Sequence, residues 1–206
     1  MEDKIEKALS ELRKNKERKF NQTIDLILNL RKIDPRKTSL NMLITLPHKV
    51  KDKKIAGFSE TESSKIDIIN PLDFKKYSNK TELRKLVKKY DFFISQAKLM
   101  PKVATTFGRA LGPSGKMPSP QLGILANMND KEIEELKNKI NSIVKIRLKE
   151  PSIKIPIAKQ DMGDKEIIEN ISHAYSAIIK ELPSQKDNVK NVEIKLTMSK
   201  PIKIEL

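Results

Sequence analysis

Cysteine and tryptophan are absent from this chain, and aromatic residues make up only 4% of it. Without cysteine there is no disulfide framework, no thiolate metal site and no cysteine nucleophile. No apolar run reaches the ~18 residues of a membrane helix. The first twenty residues are crowded with charge and hold no signal-peptide core. The two histidines, His48 and His173, have no partner at metal-ligand spacing. These absences lead to the expectation of a soluble, cytoplasmic protein with no membrane contact, metal or cofactor. What is there is material for a core and a large excess of one charge. The chain has 206 residues, 37% of them hydrophobic, enough for one large or two small domains. Lys and Arg number 42 against 27 Asp and Glu, a net charge of +15. An excess of that size points to a polyanionic partner, RNA or DNA first. A basic protein with no such partner is the plain alternative.

Hydrophobic spacing divides the chain. Ile5, Leu9 and Leu12 share a helical face and predict a helix over about 3–16. Ile24, Leu26, Leu28 and Leu30 alternate with Thr23, Asp25, Ile27 and Asn29, which predicts a strand. After a turn at Ile33-Asp34-Pro35-Arg36, Leu40, Met42, Ile44 and Leu46 predict a second strand, read as the antiparallel neighbour of the first. From Lys49 the pattern becomes short strands at 54–58, 65–70 and 90–95 alternating with helices at 81–89 and from Pro101 to about Leu111. A helix capped by Asn129 and Asp130 follows. Beyond Val144, strands at 144–148 and 153–157 flank a hairpin turn at Glu150-Pro151-Ser152. A long helix then runs from its cap at Asp164 to about Leu182, and strands at 192–196 and 202–206 close the chain. The expected fold class is α/β and α+β in two domains. Residues 1–48 and 144–206 form a discontinuous α+β sandwich domain, and 49–143 an inserted Rossmann-like α/β domain with a mainly parallel sheet. The crossings, and a hinge, fall near Pro47-His48 and Ile143-Val144.

Chemical motifs are few. Gly112-Pro113-Ser114-Gly115-Lys116-Met117-Pro118 superficially suggests a phosphate loop. A Walker loop would need glycine where Ala110 stands and a hydroxyl where Met117 stands, between a strand and a helix. A helix end capped by Gly112 and blocked by Pro113 fits better. An exposed loop whose Lys116 meets RNA phosphates is a second reading, and nucleotide binding a third. Ser114 lacks the glycine pattern of a nucleophile elbow. No catalytic residue is expected. The basic residues are more informative. Lys14, Lys16, Arg18 and Lys19 lead into Phe20, and Arg31, Lys32, Arg36 and Lys37 surround the first loop. Cations beside an aromatic ring suit RNA, through phosphate contact and stacking. A solvated charge run, with Phe20 in the core, is the alternative.

Several segments together resemble one family. They are Lys19-Phe20-Asn21-Gln22-Thr23-Ile24-Asp25-Leu26, Asp34-Pro35-Arg36 and Leu46-Pro47-His48. Tyr90-Asp91-Phe92-Phe93-Ile94, Leu99-Met100-Pro101, Gly108-Arg109, the 112–118 segment and Leu196-Thr197-Met198 complete the set. In this order, over nearly the whole chain, they resemble the L-one family of large-subunit ribosomal proteins, in its archaeal-like branch. The resemblance implies a structural protein and not an enzyme. It would bind the large-subunit rRNA stalk near the tRNA exit site, assist release of deacylated tRNA, and repress translation of its own mRNA through an rRNA-like site. It implies an RNA site on the first strand and the Thr-Met turn, which here means Lys19, Phe20, Thr23, Asp25, Thr197, Met198 and Ser199, with Arg36 and Lys116 as secondary contacts. Asp25 stands where the family usually has glutamate, and would accept hydrogen bonds from ribose. Ser199 stands where the family usually has glycine. That substitution implies either a strained turn or a surface holding the RNA slightly further away.

Two rivals stand beside this reading: an enzyme using the 112–118 loop on a nucleotide, and a general nucleic-acid-binding module. Charge does not locate the site. The excess is +7 over 1–48 with 144–206 and +8 over 49–143. Specificity is therefore expected from the mostly uncharged Phe20, Thr23, Thr197 and Met198.

Overall fold

The structure, a computed structural model, describes residues 2–14, 18–35, 40–61, 63–126, 129–148 and 150–204. Lys16, Arg36, Lys37 and Leu206, all named above, lie outside them. In chain order the elements are α1 (Glu2–Arg13), β1 (Thr23–Leu30), β2 (Asn41–Thr45), β3 (Ile55–Phe58), β4 (Asp67–Ile69), α2 (Lys80–Lys89), β5 (Phe92–Gln96), α3 (Met100–Ser114), β6 (Ile124–Leu125), α4 (Asp130–Ser142), β7 (Ile143–Arg147), β8 (Ser152–Lys159), α5 (Asp164–Glu181), β9 (Val189–Leu196) and β10 (Ile202–Ile204). The chain divides into two compact units, Met1–Lys51 with Ser142–Leu206, and Asp52–Asn141.

The discontinuous unit is α+β. Its main sheet has the order β10-β9-β1-β8, with every pair antiparallel. Ile24, Leu26, Leu28 and Leu30 point from β1 to one face and are buried, as strand alternation requires. Each such side chain contributes about 1.5–3 kcal/mol by leaving water. Ile5, Ala8, Leu9 and Leu12 of α1 cover that face, and so do Ile167, Ile171, Ala174 and Ile178 of α5. Thr23, Asp25, Ile27 and Asn29 point the other way and are only half-buried.

The strand partners differ from the expectation. β1 does not pair with β2. Both of its edges are taken by β8 and β9, which match it in length and in alternation. β2 pairs antiparallel with β7 in a separate two-stranded sheet. The segment 150–152 is therefore no hairpin turn, because β7 and β8 belong to different sheets. Alternation reports which face is buried; it does not report the neighbour.

The cap of α5 is also corrected, and the crossings between the units fall at Lys51/Asp52 and Asn141/Ser142, a few residues from the expected ones. Asp164 is the first residue of α5, not its cap; Gly163 holds the cap position, and the Asp164 carboxylate pairs with Arg13. Pro47-His48 and Ile143-Val144 lie inside the discontinuous unit. Ile143 and Val144 open β7, and the His48 backbone N–H donates to Asn170 Oδ1 at 2.9 Å. Asn170 is fully buried and donates through Nδ2 to the carbonyls of His48 (3.2 Å) and Ile157 (3.0 Å).

The inserted unit is α/β, with a wholly parallel sheet of order β4-β3-β5-β6. All four residues of β3 are buried, as both-face coverage demands. On one face Phe58, Phe93 and Phe107 cluster with Leu83, Leu86, Val103 and Leu111. On the other, Ile55 and Ile94 meet Ile133 and Ile140 of α4. The scarce aromatics are concentrated here: the Phe58 ring lies 5.7 Å from Phe93 and 4.8 Å from Phe107.

The 112–118 segment does begin as a helix end, but not at Gly112. Gly112 and Pro113 lie within α3, and the chain turns at Gly115 with φ 70°. Gly115 N–H donates to Gly112 O and Lys116 N–H to Leu111 O, both at 3.0 Å, which is a Schellman motif. A proline in the last turn leaves the helix intact because the chain is about to leave it anyway. No helix among the described residues is long and apolar enough to cross a membrane.

Asn170→Ala is expected to destabilise the discontinuous unit by about 2–3 kcal/mol, since it strands one buried donor and two carbonyls. Urea unfolding followed by circular dichroism measures this; a loss below half a kcal/mol would mean the contacts are dispensable.

Candidate nucleic-acid interface

The interface is built where the first residues of β1, the last of β8 and the turn after β9 meet. Thr23 and Thr197 form its frame. Thr23 N–H donates to Thr197 Oγ1 (3.1 Å), and Thr197 N–H donates to Thr23 O (3.1 Å). The Thr197 hydroxyl also donates to Thr23 O (3.3 Å). Gln22 lies beneath at 2% exposure. Its Oε1 accepts from Met198 N–H (3.2 Å), its Nε2 donates to Gln160 Oε1 (3.4 Å), and its carbonyl accepts from Gln160 N–H (2.9 Å). A buried amide that bonds to the segments just beyond both neighbouring strands locks the sheet end in one geometry.

Two apolar side chains stand out from this frame. Phe20 is 51% exposed and Met198 is 61% exposed. In a chain so poor in aromatics, with Phe58, Phe93 and Phe107 fully buried, an open phenyl ring is unlike the rest. Phe20 is therefore not a core residue. Lys19 is exposed beside it.

A bulge supplies a cation that the strand pattern hides. The β1–β8 register shifts between Ile24 and Asp25, which face Ala158 and Pro156. Ile153, Ile155 and Ile157 point into the core, so regular alternation would send Lys159 there too. The bulge reverses the parity: Ala158 is buried and Lys159 turns to the open face. Its ammonium donates to Thr23 Oγ1 at 2.9 Å. Gln22, Lys159 and Lys195 were missed in the sequence reading. The adjacent apolar pair Ile157-Ala158, which breaks the alternation, was the signal for Lys159.

Asp25 follows Thr23 on the same open face and lies opposite Lys195 in register. Partial burial holds its carboxyl above the ordinary value, while Lys195 and then Lys159 pull it back down. Ser199 shows none of the expected strain. Among the described residues the only non-glycine positions with positive φ are Lys32 and Gln185. Instead Ser199 N–H donates to Leu196 O (3.0 Å), and Ser199 Oγ accepts from Leu196 N–H (2.9 Å), so the serine closes the turn.

The structure thus brings Thr23, Thr197, Met198 and Ser199 to one sheet end, with Lys19, Phe20 and Asp25 adjoining in sequence. Arg36 lies outside the described residues. Lys116 is in the inserted unit, where its ammonium donates to Val87 O (2.8 Å) and Tyr90 O (2.7 Å) and so closes the end of α2. Among the described residues no group of three or more His, Cys, Asp or Glu could hold a metal.

The arrangement can offer an aromatic face, a thioether, hydroxyls, a carboxylate and ammonium groups on a rigid surface. Comparison with known proteins is consistent across the chain. The ribosomal protein L1p/L10e family matches residues 12–200. The large ribosomal subunit protein uL1 of Nanoarchaeum equitans is 35% identical over 212 residues, covering 98% of each chain. That of Thermococcus kodakarensis is 35% identical over 214 residues, covering 98% of this chain and 97% of its own. That of Pyrococcus horikoshii is 33% identical over 214 residues, covering 98% and 95%.

Because the folded-state pKa of Asp25 is raised, its protonated form favours the folded chain, and that contribution fades as pH rises through the raised value. Asp25→Asn is expected to raise the unfolding temperature at pH 7, by less than about 2 °C because solvent screens a half-exposed group. The difference should vanish at pH 3. Thermal scans at both pH values check this; a lower midpoint at pH 7 would mean that the lysines outweigh burial.

Proposed function

The chain belongs to the ribosomal protein L1p/L10e family, and from this we propose that it is a structural, non-catalytic constituent of the large ribosomal subunit that holds the large-subunit rRNA stalk near the tRNA exit site. The observation that supports this best is the open Phe20 and Met198 around the bonded Thr23–Thr197 frame. Apolar groups held on a rigid polar surface suit a folded RNA, whose shallow minor groove offers sugar edges and 2′-hydroxyls.

In this mechanism Lys19, Lys159 and Lys195 meet phosphates and supply salt-dependent affinity. Phe20 stacks on or wedges beside a base, and Met198 packs against sugars. The Thr23 hydroxyl, which accepts from Lys159, has its proton left to donate. Asp25 accepts from a ribose hydroxyl. The surface is already built before RNA arrives, so little ordering opposes binding. The inserted unit would help the stalk move as deacylated tRNA leaves. The same sheet end would take an rRNA-like segment of the chain's own mRNA and repress its translation. Both events belong to the cytoplasm, where the ribosome works.

Titration of the full chain against the stalk rRNA fragment and an unrelated hairpin, at two salt concentrations, tests the reading. The fragment is expected to bind at least tenfold tighter at both. Phe20→Ala and Met198→Ala should each weaken it about tenfold, or about 1.4 kcal/mol, with the salt slope unchanged. The chain's own mRNA leader should displace the fragment. Equal affinity for fragment and hairpin would overturn the proposal.

A further inference from the structure

Helix α2 of the inserted unit carries a row of cations along one face. Lys80, Arg84 and Lys88 stand four residues apart, so they share one face at a rise of about 6 Å per step. All three are exposed, and among the described residues no carboxylate pairs with any of them. The other two cations of the helix are committed. Lys85 pairs with Glu82 at 2.7 Å and Lys89 with Asp67 at 3.5 Å.

The row opposes the helix that carries it. Like charges at this spacing repel, and Lys80 in the first turn faces the positive end of the helix dipole. The helix is held by other means. Leu83 and Leu86 are buried, Asn79 Oδ1 accepts from Thr81 N–H at 3.0 Å, and Lys116 bonds the carbonyls of Val87 and Tyr90. The charge is also local. α2 has five cations and one carboxylate, whereas α4 of the same unit has four carboxylates and three lysines. An evenly spaced line of unpaired cations on a rigid helix complements a linear polyanion whose charges recur along a strand.

We propose that the Lys80–Arg84–Lys88 face of α2 is a second RNA-binding surface, which holds one RNA strand through its phosphates without reading its sequence. The choice of RNA rests on the ribonucleoprotein reading above. The row makes three phosphate contacts and has no exposed aromatic or apolar group of its own, so it adds affinity and leaves selectivity to the sheet end.

The test titrates the full chain with a single-stranded oligouridylate over a range of salt. The slope of log affinity against log salt is expected to fall by about 2 in the triple variant Lys80→Gln, Arg84→Gln, Lys88→Gln, from about 0.7 per phosphate on a single strand. Arg84→Gln alone should lower it by about 0.7. The control triple Lys131→Gln, Lys137→Gln, Lys139→Gln on α4 removes the same charge and should lower it by less than half as much. An unchanged slope in the α2 variants, or an equal fall in both triples, overturns the proposal. Preference for the stalk fragment over a hairpin should survive in the α2 triple. Loss of that preference in the unaltered chain would instead count against the sheet-end site, leaving the slope measurement to decide the row on its own.

Discussion

Everything at the candidate interface depends on β1 being bonded along both edges. With β8 on one side and β9 on the other, the start of β1 becomes the place where three chain segments converge. Thr23 then accepts from Lys159 of β8 through its hydroxyl and exchanges bonds with Thr197, which follows β9. Had β1 paired with β2 instead, one of those edges would be lost and with it half the frame. The side chains that hold this end are buried or bonded, while those that would meet a ligand are open. Gln22 is 2% exposed and Phe20 51%, two residues apart.

Much of the fold was legible in the residues. The helical spacing of Ile5, Leu9 and Leu12 and the alternation in β1 and β9 correspond to elements that are present. So does the run of short strands between helices in the inserted unit, whose sheet is parallel. Partners were not legible. Periodicity records how one segment meets solvent and core, so β2, the next strand along the chain, was read beside β1 although it pairs with β7. The helix end at Gly115 was misplaced by three residues because Gly112-Pro113 carries the same local signal. Which glycine takes positive φ depends on the carbonyls of Leu111 and Gly112 finding donors, not on composition.

The candidate site divides the same way. Lys19, Phe20, Thr23, Asp25, Thr197 and Met198 came from motif resemblance, and the exposure of Phe20 and Met198 is a separate physical fact that supports reading them as a surface. Lys159 could not be assigned to that surface from parity, because a bulge reverses it. Lys116 shows the opposite case. It looked available in a loop, yet its ammonium bonds two carbonyls of the neighbouring helix end. Net charge was a poor guide throughout. It is shared almost evenly along the chain, and only three-dimensional pairing separates Lys85 and Lys89, which have carboxylates, from the row beside them, which has none among the described residues.

The sequence by itself pointed to a polyanionic partner and determined the kind of elements. Its positive excess is a sum over residues, and its periodicities are local, so neither needs the fold. Tertiary structure alone decided which strands flank β1, that the bulge brings Lys159 to Thr23, and that Thr23 and Thr197 bond each other. These are contacts between residues as many as 174 positions apart. Such contacts are selected by how whole faces pack and how buried polar groups find partners, and no short stretch of sequence carries that information.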